Sequence, residues 1–142
     1  MKIDRDISFD NGGGETLDFS KALGLYRDIP EGIYEAKIVG VKKKISKAGN
    51  DMYVWDIEID PEDGSGKVRT TVYTVIPDAV FKIREILLAI NPDKEEELKG
   101  EFVFHPEDYT DCLVRVETGI KEYNNNLSTT VKHFLKSDRT LL

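Results

Sequence analysis

Lysine side chains and aromatic rings lie close together in one stretch of this chain, between residues 29 and 59. A strand pattern from Ile33 to Val41 runs into a lysine cluster, and an aromatic strand pattern from Tyr53 to Ile59 follows a turn at Gly49. The cluster comprises Lys42, Lys43, Lys44 and Lys47. Cations hold the phosphates of a nucleic acid, while flat rings stack on its unpaired bases. The stretch therefore predicts chemistry suited to a single-stranded polynucleotide.

The lysine cluster also fits a plainer interpretation. Charged side chains at a strand end keep that edge from pairing with other chains. Residue types alone favour this second interpretation, and the phosphate role gains support only from the fold that the strands predict.

Length and charge set limits on the class of protein. The chain has 142 residues, enough for one domain with a sizeable core. Its formal net charge of −7 counts against binding to a polyanion. The charge is uneven, since residues 91–120 hold three cations against nine carboxylates and residues 121–142 hold four cations against two. A locally basic face is compatible with this distribution.

Several other classes of protein lack their signals here. No apolar run reaches the roughly 18 residues of a membrane span, and Met1 to Asp10 lacks the apolar core of a secretory signal. Cys112 is the sole cysteine, and His105 and His133 stand apart, so neither a disulfide nor a zinc site is expected. No nucleophile, base or phosphate loop is recognisable. We expect a protein without enzymatic activity or cofactor, in a reducing cytoplasm.

Five strand patterns and one helical pattern organise the chain. The strands are predicted at residues 32–45, 53–59, 67–75, 112–118 and 127–135, and the helix is predicted to open at Pro77 and Asp78 and to end at Asn91 and Pro92. Gly40 interrupts the alternation of the first strand, which is typical of a β-bulge. This order predicts an all-β fold with one or two helices, a five-stranded OB-fold barrel with the helix between strands 3 and 4. Residues 1–28 are interpreted as a weakly ordered N-terminal arm, residues 29–136 as the OB-fold domain and residues 137–142 as a short C-terminal tail.

An OB-fold binds oligonucleotides on strands 2 and 3 and on the loops joining strands 1–2 and 4–5. Those regions, with the adjoining end of strand 1, define the candidate nucleic-acid-binding residues, and no metal or catalytic residues are predicted. The candidates are Lys42, Lys44, Lys47, Asn50, Tyr53, Lys67, Arg69, Tyr73, Lys121 and Tyr123.

The aromatic candidates are not equivalent. Trp55 alternates with Ile57, which predicts a core position for the indole. Tyr53 shares that inward face, but it lies near the start of the strand, so core and exposed positions are about equally favoured. Tyr73 shares a face with the cations of its strand and is the better stacking candidate. Tyr123 fits either a closing loop over a nucleic acid or an ordinary hairpin.

Two short motifs resemble the opening of a family of small phage-encoded proteins. They are the strand motif at residues 29–38 and the turn motif at residues 46–52, and weaker similarity extends over residues 29–136. Asp111 and Asn125 depart from the family pattern, because glycine is common at both positions. The resemblance implies an OB-fold single-stranded-DNA-binding protein of phage replication or recombination, located in the cytoplasm of a bacterial host cell.

Two functional hypotheses remain open. The first is a single-stranded-DNA-binding protein of low sequence specificity, whose partners include phage replication or recombination proteins and which is compatible with a homodimer. The alternative is an OB-fold accessory factor that binds other proteins and does not contact DNA directly; the acidic residues 91–120 favour it.

Overall fold

The structure is a computed structural model that describes Leu17, Phe19 and residues 23–139. The strands are β1 (Ile33–Ile45), β2 (Asp51–Asp60), β3 (Val68–Val75), β4 (Leu113–Tyr123) and β5 (Asn126–Lys136). The single α-helix of this part of the chain, α1 (Val80–Ile90), lies between β3 and β4 in the sequence. Short 3₁₀ turns at Pro92–Glu95, Glu97–Lys99 and Pro106–Tyr109 follow it.

The five strands form one antiparallel sheet in the order β3-β2-β1-β4-β5. The predicted all-β class is therefore confirmed. The sheet is not closed into a barrel, because no backbone ladder joins β3 to β5 among the described residues. The two edge strands nevertheless approach each other, and Thr70 Oγ1 donates a hydrogen bond of 2.9 Å to the carbonyl oxygen of Thr129.

Residues 25–29 lie between these two edges. The backbone N–H of Arg69 on β3 donates to Leu25 O at 2.7 Å, and that of Thr129 on β5 donates to Arg27 O at 3.2 Å. Ile29 N donates to Thr129 Oγ1 at 2.9 Å, and Ile29 is buried. The side chain of Arg27 also donates to Gly66 O at 2.9 Å, in the β2–β3 loop. This segment thus bridges the gap that the ladders leave open.

Burial of the apolar side chains on one face of β2 determines which side of the sheet faces the core. Trp55, Ile57 and Ile59 are fully buried. Each such burial contributes about 1.5–3 kcal/mol, whereas a cross-strand pair on the outer face contributes at most about 1 kcal/mol. The indole of Trp55 also donates to Thr74 Oγ1 at 3.0 Å, so its polar atom is satisfied. The predicted core position of Trp55 is confirmed.

The helix α1 packs its buried residues onto the core and covers the free edge of β5. Lys82 Nζ donates to Lys132 O at 2.9 Å, and the Glu85 carboxylate accepts from Phe134 N at 2.7 Å. Burial acts to raise the pKa of Glu85, but the bonds from Phe134 and Lys82 outweigh it and hold that pKa below its usual value. These bonds satisfy edge groups that would otherwise be free to pair with another chain.

Two turns adopt left-handed backbone conformations without glycine. Asn124 and Asn125, at φ of 50° and 66°, form the two-residue connection between β4 and β5, which is the geometry of a type I′ turn. Asp111 has a φ of 67°. Glycine fits this left-handed region most easily, and Asn and Asp are among the other residues that adopt it.

Chain segments beyond the predicted domain limits also contact the sheet. Of the predicted arm, residues 1–16, 18 and 20–22 lie outside the described residues, while residues 25–28 lie along β3 and β5. In the predicted tail, Ser137 Oγ donates to the carboxylate of Glu35 on β1. The domain limits themselves stay a prediction.

Candidate nucleic-acid interface

The outer face of β1, β2 and β3 carries five of the ten candidate residues. One row joins Lys42, Val54 and Tyr73 across the three strands. The next row, towards the β1–β2 turn, joins Lys44 and Met52 to Val75. We call the surface formed by these two rows the open half.

The bulge in β1 places the two lysines on this face. Ile38 pairs with Ile57 on the inner side, but the register shifts at Val39, so that Gly40 pairs with Asp56 on the outer side. Because side chains alternate along a strand, an unbroken register would send Lys42 and Lys44 to the inner side. The extra residue reverses the alternation, and both lysines emerge on the outer face.

The open half has exposed cations and an exposed ring. Lys42 and Lys44 are exposed, and neither forms an ion pair with any described residue. The side chain of Tyr73 is 63% exposed. Val54, between Lys42 and Tyr73, is buried although its strand position faces outward, so it forms an apolar floor between a cation and a ring. Such a surface can contact a phosphate and a base at the same time.

The other end of the same face, the paired half, consists of Lys37, Glu58, Asp60, Lys67 and Arg69. Its cations have carboxylate partners. Arg69 Nε lies 3.5 Å from Glu58 Oε2, and Lys67 Nζ lies 3.1 Å from Asp60 Oδ2. Lys37 Nζ lies 4.0 Å from Asp111 Oδ1, in the loop before β4. The positive charge of this half is therefore largely compensated.

Arg139 strengthens that compensation from outside the sheet. Its guanidinium donates to Asp60 Oδ2 at 3.0 Å and also binds the carboxylate of Glu62. The Arg139 bond holds the pKa of Asp60 below its usual value; the small burial of Asp60 acts in the opposite direction, and the bond from Lys67 acts in the same one. The carboxylate of Asp60 therefore stays ionised and forms ion pairs with Lys67 and Arg139.

The β1–β2 turn carries Lys47 and Asn50 beside the open half. Ser46 N donates to Asn50 O at 2.8 Å, and Asn50 N donates to Ser46 Oγ at 3.1 Å. Gly49 adopts a φ of 88°, which the tight connection requires. Lys47 and Asn50 are exposed, so the turn adds a cation and an amide at the end of the face.

Lys121 and Tyr123 lie elsewhere, at the tip of the β4–β5 hairpin. Both are exposed, and Tyr123 borders an open groove of about 930 Å³ against residues 26–28. The contact of Thr129 with Thr70 places this hairpin beside the beginning of β3, whereas Tyr73 lies towards its end. The structure does not bring these two candidates together with the open half.

Tyr53 points to the opposite side of the sheet. Its ring meets Phe104 edge-on, with 4.7 Å between centroids, and it packs against the buried core. Phe104 in turn stacks on Tyr109 at 5.5 Å. Tyr53 is thus separated from Lys42 and Tyr73 by the thickness of the sheet.

The sequence interpretation missed Val54 and Arg139. Met52 and Val54 are apolar on the outward positions of β2, where Asp56 and Glu58 follow, and two apolar side chains on a solvent-facing row are the signal that could have indicated a floor of the site. Arg139 offers no signal in the sequence, because its contacts with Asp60 and Glu62 depend on how the chain folds after β5.

Metal and membrane sites find no support within the described part of the chain. No group of three or more His, Cys, Asp or Glu side chains there is arranged to hold a metal ion. No helix of that part is long and apolar enough to cross a bilayer.

A scan against protein-family models finds no match to the chain, and a search of curated proteins finds no significant similarity.

Proposed function

We propose that this chain is a single-stranded-DNA-binding protein of low sequence specificity. Lys42 and Lys44 hold phosphates, and Tyr73 stacks on a base. The observation that carries the proposal is the open half itself: two lysines without an ion pair to any described residue, and an exposed ring, in adjoining rows of one sheet face. Stacking is tolerant of sequence because every base has a flat face.

The fold that we propose is a partly open OB-type barrel. A sheet whose edge strands approach each other, with the intervening gap bridged by residues 25–29, supports this interpretation. The resemblance in the two N-terminal motifs adds a role in phage replication or recombination, in the cytoplasm of the host, and binding without catalysis.

The net charge of −7 does not argue decisively against this function. Protein charges separated by more than about 10 Å are largely screened at ordinary ionic strength. Lys42 and Lys44 have no carboxylate partner among the described residues, so a phosphate does not have to displace one.

Titration of the purified protein into labelled oligo-dT at increasing salt tests the proposal. For two to four phosphate contacts, the logarithm of the association constant should fall with the logarithm of the salt concentration with a slope of about −1.4 to −2.8. No binding at about 50 mM salt, or binding that salt does not change, overturns it.

A second candidate function is a protein-binding accessory factor that does not contact DNA. The exposed carboxylates of residues 93–97 and the compensated charge of the paired half favour it. A gel-shift comparison of single-stranded DNA, duplex DNA and RNA separates the two candidates, since the accessory factor shifts none of the three.

A further inference from the structure

An apolar cleft lies on the inner side of the sheet, opposite to the open half. It has a volume of about 390 Å³, within the range of natural ligand pockets. Its walls come from α1, from the inward start of β2 and from the segment at residues 98–104, and they are mostly apolar. The main lining side chains are Tyr53, Ile76, Val80, Leu87, Phe102 and Phe104.

Arg84 is the only cation among the described residues that line this cleft. Its Nε donates to Leu98 O at 3.0 Å, which fixes the plane of the guanidinium. Arg84 is half-buried and forms no ion pair with any described residue. An immobilised guanidinium in an apolar wall favours a carboxylate ligand, because charge-assisted bonds are strongest where water is partly excluded.

The apolar surface continues beyond the cleft along α1. Val80 and Phe81 are 51% and 70% exposed. Phe81 and Arg84 are three residues apart on the helix, which makes them neighbours on its surface. A ligand bound at Arg84 can therefore extend over Phe81, and this extent suits a polypeptide better than a small molecule.

We propose that this cleft docks a peptide segment of a partner protein, in which a large apolar side chain stands next to a carboxylate. The apolar side chain fills the space between Val80, Leu87 and Phe102, and the carboxylate pairs with Arg84. A nucleic acid is a poorer match, since the lining offers one cation and no run of them along a path. The proposal does not depend on DNA binding by the open half.

Amide NMR spectra of the ¹⁵N-labelled full chain test the proposal. The probe is the acetylated peptide Gly-Leu-Phe with a free C-terminal carboxylate, compared with the same peptide amidated at its C-terminus. We expect the free acid to shift the amide signals of Val80, Arg84, Leu98 and Gly100. Amidation should weaken binding about tenfold, the value of one charge-assisted contact.

Arg84→Gln is the matched variant, and its affinity for the free-acid peptide should also fall about tenfold. Arg115→Gln is its control, because Arg115 Nε also donates to a backbone carbonyl, that of Lys136 at 2.7 Å, but lies away from the cleft lining. Both variants should bind oligo-dT as the parent does. Equal binding of acid and amide, an unchanged affinity in Arg84→Gln, or no shifts at millimolar peptide overturns the proposal whatever the DNA titration gives.

Discussion

The open half and the paired half of the outer face are built from the same strands and the same kinds of cations, but they differ in what those cations contact. On one side Lys42 and Lys44 face solvent without a carboxylate partner among the described residues. On the other, Lys67 and Arg69 face Asp60 and Glu58. The number of cations on a sheet therefore says less about anion binding than the cross-strand register, which decides whether a carboxylate stands opposite each one.

Reversing charge in each half gives the largest expected contrast. The double variant Lys42→Glu/Lys44→Glu should weaken oligo-dT binding on the order of a hundredfold, because two phosphate contacts become repulsive. The double variant Lys37→Glu/Lys67→Glu changes the net charge equally and should weaken binding only several-fold. Fluorescence anisotropy measures both. Equal losses would mean that overall charge, and not the open half, governs binding.

Removing the ring of Tyr73 should have the next largest effect. Tyr73→Ala should weaken binding about tenfold, which lies within the range measured for a single stacked base. The slope of affinity against salt should stay the same, since no ionic contact is lost. Tyr73→Phe is the control and should retain most of the affinity. A changed slope in Tyr73→Ala would contradict the stacking role.

Removing a carboxylate from the paired half should strengthen oligo-dT binding. Glu58→Gln removes the carboxylate opposite Arg69 and should strengthen oligo-dT binding about threefold, a typical effect for one partly screened charge. Glu95→Gln, in the 3₁₀ turn that follows α1, makes the same change of charge outside the sheet and is the control. If both variants gain equally, the pairing of Arg69 is not what limits this half.

The smallest expected effect concerns stability in acid. The pKa of Asp60 is lower in the folded chain than in the unfolded one, so its ion pairs stabilise the fold above about pH 4, and this contribution is lost as the pH falls through the folded value. Asp60→Asn should lower the free energy of unfolding at pH 7 by less than about 1 kcal/mol, since exposed pairs are screened.

Urea titrations of the parent and Asp60→Asn at a series of pH values check this expectation. The difference between them should close near pH 2, where both lack the charge. Asp78→Asn is the control, because Asp78 is exposed and has no ion pair among the described residues. A difference that persists in acid would assign the effect to something other than the carboxylate charge.

Sequence periodicity predicted the sheet well where one face is buried. The alternation through Trp55 and Ile57 located β2 and its inner face, and the break at Gly40 located the bulge. The extension of β4 to Tyr123 was missed, because Lys121 and Glu122 are exposed and carry no apolar alternation. Hydrogen bonding between strands, not burial, maintains that part of β4.

The candidate site was predictable in its residue types but not in its division into halves. Lys67 and Arg69 were grouped with Lys42 and Lys44 because all four lie on neighbouring strands. Which carboxylate stands opposite each cation depends on the register of β2 against β3, and single-strand patterns do not contain that information. Tyr53 was retained as a candidate because its position near a strand end left its exposure open.

The bridge formed by residues 25–29 has a consequence for handling this protein. A version trimmed to begin at Pro30 would leave the backbone N–H groups of Arg69 and Thr129 without their present acceptors. Two strand edges with unpaired backbone groups would then lie side by side, and each would be open to pairing with a strand from another molecule. Self-association on concentration, more than weakened contact with a nucleic acid, is the expected cost of such a deletion, and light scattering of the trimmed and untrimmed proteins would reveal it.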